Sequence, residues 1–190
     1  MTKVFTPGKE TDYEGKRIQI VNAIDSLKPV VEDIAKCLYS NPELGLEEVY
    51  AASKLTEILE SKGFDIERGT AGMPTAFKAQ SGNQRPSIAF MAEYDALPVI
   101  GHGCGHNLMA ACAVAAGIAV NNVLPPNETN ASWIVLGTPA EETTGGKIVM
   151  VEAGTFSRID AAFIAHPGQR NSLGGSSWAS HPGADLPKKV

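Results

Sequence analysis

Three short apolar runs constrain what this chain can fold into more than any other feature. Ser87-Ile88-Ala89-Phe90-Met91-Ala92 is nearly continuous in apolar character, Ala131 to Thr138 reads as another apolar strand, and Ala161 to Ala165 as a further strand. A strand with one wet face alternates polar and apolar residues, whereas an unbroken run suits a strand buried on both faces, as in a parallel sheet covered by helices. Reactive residues follow each run. Glu93-Tyr94-Asp95 leaves the first and leads into Gly101-His102-Gly103-Cys104-Gly105-His106-Asn107; Glu141-Glu142 leaves the second, and His166 the third. In open α/β sheets, ligands bind just outside the carboxyl ends of the strands. Parallel strands would therefore bring Asp95, Cys104, His106, Glu141, Glu142 and His166 to one edge.

The segments between these runs are helical in period. From Lys16 to Tyr39 apolar residues recur at intervals of three and four, and Pro29 either kinks this stretch or marks a start near Ser26. Glu47 to Lys62 gives a second helix, stopped by Gly63. Short strands are expected over 64–67 and 75–80. A small-residue helix from about Leu108 to Asn121, with its alanines and Gly117, is suited to close packing on a sheet, and Lys147 to Ala153 gives another helix. The alternation predicts an α/β sandwich: a central, mostly parallel sheet flanked by helices.

Composition excludes several classes. The chain has 190 residues, 43% of them hydrophobic and 19% charged, with a formal net charge of −5. That describes a globular domain, and no basic stripe supports nucleic-acid binding. The three cysteines make no disulfide framework, and Cys37 and Cys112 read as small buried residues. The first residues hold no apolar run, and Ala110 to Val120 is too short to span a bilayer. The expectation is a soluble, cytoplasmic protein without a membrane partner.

Thiolate and imidazole are ligands that a borderline-soft ion such as zinc prefers. Cys104, His106 and His166 with one carboxylate would make a mixed sulfur, nitrogen and oxygen sphere. Of the adjacent glutamates, one can hold the ion and the other take a proton from water. Asp95 could accept a hydrogen bond from a ligating imidazole and fix its tautomer. Each piece also has a plainer reading: a solvated glutamate pair, a histidine that merely ends a strand, an aspartate that caps the next segment. A cysteine hydrolase using Cys104 with His106 is a weaker alternative, because the two lie too close in sequence for an in-line nucleophile and base.

Several motifs together carry a resemblance. Glu-Tyr-Asp-Ala-Leu-Pro at 93–98, Gly-His-Gly-Cys-Gly-His-Asn at 101–107, Gly-Thr-Pro-Ala-Glu-Glu at 137–142, Gly-Gly-Lys at 145–147 and Ala-His-Pro at 165–167 resemble the aminoacylase and hippurate-hydrolase group of metallopeptidases, family M20. Asn41-Pro42-Glu43-Leu44-Gly45 with Glu47-Glu48 is similar to an N-terminal motif of the branch that contains p-aminobenzoyl-glutamate hydrolase and the β-alanyl-lysine dipeptidase-like proteins. The resemblance implies Cys104, His106, Glu142 and His166 as ligands of a two-metal site, Glu141 as general base and proton shuttle, and Asp95 as the aspartate that supports a ligand. Many relatives carry His-X-Asp where this chain has Glu93-Tyr94-Asp95. The implied activity is hydrolysis of amide bonds in N-acyl amino acids, dipeptides or aminobenzoyl-glutamate-like substrates. The implied cofactor is one or two Zn2+ ions, with Mn, Co or Ni as alternatives.

The resemblance also implies a longer enzyme. A lid and dimerisation domain would follow the His166 region, and a returning segment would supply a further metal-binding histidine. Residues 1–15 are then a flexible lead-in, 16–170 the N-terminal part of the catalytic domain, and 171–190 an irregular tail where the lid would begin. A homodimer is expected only with that lid present. The alternative is a truncated, non-catalytic domain that binds a metal or a partner.

Overall fold

The structure is a computed structural model, and it describes residues 13–168. The expected tail at 171–190 and most of the lead-in lie outside the described residues. Tyr13 already belongs to the first helix, α1 (Tyr13–Ser26). The helical period over 16–39 is divided at Leu27: α2 runs Lys28–Ser40, with Pro29 in its first turn, where a missing N–H costs nothing. Then come α3 (Val49–Ser61), β1 (Asp65–Arg68), β2 (Phe77–Ser81) and β3 (Ser87–Ala92). They are followed by α4 (His106–Val123), a one-turn α5 (Pro126–Thr129), β4 (Ser132–Gly137), α6 (Gly146–Glu152) and β5 (Ala161–Phe163).

The five strands form one sheet in the order β1-β2-β4-β3-β5. β4, β3 and β5 are mutually parallel, with Ser87 opposite Ser132 and Ala92 opposite Gly137. β2 joins β4 antiparallel, Phe77 opposite Gly137, and β1 continues antiparallel. The sandwich is therefore α/β as expected, but its sheet is mixed. The antiparallel β2 has a consequence for the site: its start lies at the same edge as the carboxyl ends of β3 and β4.

α4 is apolar on nearly all sides because it is enclosed by β3, β4, α1 and α2. By length and composition alone it could cross a membrane, yet most of it is buried within the fold. Gly117 permits this approach, since a Cβ there would sit 2.5 Å from Val135 Cγ2. Leu55, Leu59, Phe64, Phe77, Val114, Ile118 and Val135 fill the core on this face. Met73, Ala76, Ala89, Ile134, Leu136 and Met150 make a smaller core on the other.

The third apolar run departs from the first two, and one burial expectation, for the cysteines, fails. β5 is exposed throughout, with Phe163 at 57%. It is an edge strand that pairs with β3 alone among the described residues, and Phe163 keeps one ring contact, 6.1 Å from Phe90. Cys112 is exposed and Cys37 only half-buried, because each faces outward from its helix rather than toward the core.

Candidate metal centre

The chain leaves β3 through Glu93, Tyr94 and Asp95, all buried, at 3%, 0% and 1% exposure. A tight turn follows, with Leu97 and Gly101 exchanging backbone hydrogen bonds. Gly105, at φ 82, then sets His106 as the first residue of α4. From the neighbouring strand, Thr138 donates its backbone N–H to Ala92 carbonyl oxygen at 2.8 Å, which ties the two strand ends together. Ala140 stands at φ 58 just before Glu141 and Glu142.

Asp95 joins these loops. Its Oδ1 lies 2.8 Å from His106 Nδ1, and its Oδ2 accepts the backbone N–H of Glu142 at 2.9 Å. Burial alone would raise the Asp95 carboxyl, but these hydrogen bonds outweigh it and hold the group below its ordinary value. With Nδ1 donating to Asp95, the lone pair of a neutral His106 is on Nε2. Burial pulls the His106 imidazole down, and the hydrogen bonds to Asp95 together with the charges of Asp95 and Glu93 outweigh it, for a net rise.

His106 Nε2 is 3.2 Å from Glu93 Oε2 and 3.6 Å from Glu142 Oε1. His106 Nε2 and Glu93 Oε2 are both buried without a hydrogen-bond partner. Two sets of donor atoms meet there, each with its members within 4.8 Å of one another: Glu93, His106 and His166, and Cys104, His106 and Glu142. The rings of His106 and His166 stand edge to face at 5.7 Å. Cys104 is pushed up to about 11, chiefly by its hydrogen bond to the Glu142 carboxylate, then by burial and the charges of Glu142, Asp95 and Glu93. A thiol so raised marks an excess of negative charge that a cation would relieve.

Glu141 stands beside this cluster. Lys147, from the first turn of α6, reaches Glu141 Oε2 at 2.5 Å and also contacts Glu93 Oε1. All six residues expected from the sequence are thus at one edge: Cys104, His106, Glu142 and His166 with donor atoms in the cluster, Asp95 under His106, and Glu141 alongside.

Glu93, Lys147 and Glu48 were not among them. Glu93 had a legible signal, since it lies two residues before Asp95 and a period of two puts both on one face. Glu48 had none. It precedes a helix, as exposed acids commonly do, yet it is fully buried at 0% exposure, and burial raises its carboxyl.

Residues 89–179 match the profile of peptidase family M20/M25/M40. Among curated proteins, the Xaa-Arg dipeptidase of Mus musculus is 39% identical over 165 residues, covering 78% of this chain and 37% of that protein. A p-aminobenzoyl-glutamate hydrolase subunit of Escherichia coli is 37% identical over 165 residues, covering 78% of this chain and 34% of that one. The chain thus spans little more than a third of the length of these relatives. A dinuclear metal-binding peptidase of the M20 family from Bacillus subtilis superposes with a TM-score of 0.64 at 23% identity, covering 73% of this chain and 42% of that one. An aminobenzoyl-glutamate utilization protein from Klebsiella pneumoniae gives 0.62 at 21% identity, covering 76% and 45%. These two likenesses concern the fold. The profile, however, runs through every clustered side chain from Glu93 to His166, and with the curated relatives it shows that this chain belongs to peptidase family M20.

Proposed function

We propose that these residues are part of the active centre of a metal-dependent amidohydrolase acting on small amide substrates: N-acyl amino acids, dipeptides or aminobenzoyl-glutamate-like compounds. One observation carries the reading, the pair of buried, unpartnered atoms His106 Nε2 and Glu93 Oε2. Buried polar atoms are rarely left unpaired, and a nitrogen lone pair facing a carboxylate oxygen is a poor arrangement without a cation between them. The donor set fits such a cation. Cys104, His106, Glu142 and His166 would hold it, and Glu93 adds an oxygen to the four donors expected from the sequence. A thiolate with imidazoles favours zinc; manganese, cobalt and nickel are the alternatives. When bound, the ion would polarise the substrate carbonyl and lower the pKa of a coordinated water to about 7.

The chain's own residues then divide the work. Asp95 fixes the orientation and tautomer of His106. Lys147 holds Glu141 through Oε2, and no hydrogen bond engages Oε1 among the described residues. Glu141 takes the proton of the attacking water as the new C–O bond forms. It returns that proton to the leaving nitrogen as the C–N bond breaks. The names of the relatives, a dipeptidase and an aminobenzoyl-glutamate hydrolase, support a small amide substrate.

The test is hydrolysis of N-acyl amino acids and dipeptides by protein stripped with a chelator and then reloaded. Activity should vanish and return. Glu141→Ala should keep its metal and lose turnover by about 100-fold or more. Loss of the metal in this variant would contradict Glu141 as the base. The alternative reading is a metal-binding domain without turnover of its own. Metal uptake without hydrolysis would select it.

A further inference from the structure

The motif Asn41 to Glu48 has no part in the chemistry above, yet it touches both loops that carry the carboxylates. Glu43 accepts the backbone N–H of Ala96 through its carbonyl at 2.8 Å, one residue beyond Asp95. Its carboxylate accepts the N–H groups of Tyr50 and Ala51, both at 2.9 Å, and so fixes the start of α3. Glu48 is fully buried, and no cation among the described residues forms an ion pair with it. Its Oε1 accepts the N–H of Ala140 at 2.7 Å, and its Oε2 pairs with the Thr75 hydroxyl at 2.8 Å. The Thr75 carbonyl accepts the Tyr94 hydroxyl at 2.6 Å. Tyr94, between Glu93 and Asp95, stacks on Phe77 with ring centres 6.0 Å apart.

The antiparallel β2 makes this linkage possible, because it starts where β4 ends and so sets Thr75 against the site. Ala140, at φ 58, is a residue in need of support. An alanine in the left-handed region is strained and persists only where its surroundings fix it. Here the Glu48 carboxylate holds its N–H, while its carbonyl accepts Gly145 N–H at 2.9 Å and Gly146 N–H at 3.3 Å. Gly45 leaves the space for this turn, since a Cβ there would collide with Thr143 Oγ1 and Ala140 Cα. The next residue is Glu141.

We propose that Glu48, with Thr75 and Tyr94, is a positioning device that sets the Glu141-Glu142 loop against the Glu93-Asp95 loop. Its effect on the metal rests on the metal-centre reading; its effect on the loop does not. The carboxylate acts as a spacer with two hydrogen-bonding atoms, so glutamine should replace it. A glutamine oxygen can accept from Ala140, and its NH2 can donate to Thr75 Oγ1.

Hydrogen exchange by mass spectrometry and Co2+ titration of wild type, Glu48→Ala and Glu48→Gln test this. In Glu48→Ala, amides over 138–147 should exchange at least about tenfold faster, with α4 unchanged. Its Co2+ affinity should fall about 10–100-fold, with an altered thiolate charge-transfer band. Glu48→Gln should restore both. Unchanged loop exchange in Glu48→Ala would overturn the proposal, as would a folded Glu48→Gln as impaired as alanine. If the wild type takes up no Co2+, the metal-centre reading fails, and the exchange comparison still decides the loop. If Glu48→Ala does not fold, Thr75→Val reads the same loop: faster exchange over 138–147 supports the brace, and wild-type exchange overturns it.

Discussion

The two ends of β3, a strand of 6 residues, treat charge in opposite ways. At the amino end, Asp160 is satisfied on every side. Arg85 contacts it through Nε at 3.1 Å and through a second guanidinium nitrogen, and the backbone N–H of Ser87 donates to Oδ2 at 2.8 Å. Asp160 is held at about 2 as a result, with the Arg85 hydrogen bond as the largest cause. At the carboxyl end, Glu93, Asp95, Glu141 and Glu142 gather around one lysine and a histidine, two buried atoms lack partners, and a thiol is raised to about 11. One strand therefore carries both a finished ion pair and an unbalanced cluster. The difference separates structure from chemistry: a fold that can satisfy an acid at one end leaves the other short of a cation, and it uses Asp95 and Lys147 to orient the groups that remain.

The largest effect expected from breaking this contrast comes from the donors themselves. His106→Ala removes the nitrogen common to both donor sets and should abolish metal uptake, beyond the roughly 10–100-fold that a supporting residue is worth. Isothermal titration with Zn2+ measures it, and a variant that still binds tightly would move the centre away from His106. Asp95→Asn comes next. It keeps the size of the side chain but loses the charge that orients His106, and Zn2+ affinity should fall by about 10–100-fold with the fold intact.

The smallest effect belongs to the satisfied end. Asp160→Asn should leave metal affinity unchanged and lower the melting temperature at pH 7. The folded carboxyl lies below its ordinary value of 3.8, so its contribution is present above that value and is lost as pH falls toward about 2. The wild-type and variant melting temperatures should therefore converge over that interval. Convergence at neutral pH instead, or a change in metal affinity, would blur the contrast between the two ends.

What the sequence revealed follows the same division. The runs forming β3 and β4 were legible because burial on both faces removes alternation, and the α4 helix because its small residues match close packing on a sheet. The gathering of Cys104, His106, Glu142 and His166 followed from strand ends alone. The antiparallel β2 was not legible, since its partner β4 lies about fifty residues on and strand pairing at that separation leaves no local signature. β5 was legible as a strand from its apolar run, whereas its place at the sheet edge is a property of the whole sheet. Glu48 looked like an ordinary acid in the first turn of a helix, and only the return of Ala140 to its carboxylate distinguishes it. Lys147 read simply as a helix start, because nothing local shows that its ammonium lies between Glu93 and Glu141.

The central claim is that the carboxyl end of β3 is built for a cation held by sulfur and nitrogen. Co2+ titration of the wild type beside Cys104→Ser tests it most directly. The wild type should develop a thiolate charge-transfer absorption that Zn2+ displaces, and Cys104→Ser should lose that band and bind more weakly. A folded wild type that takes up no ion, or binds one with no thiolate band, would contradict the account.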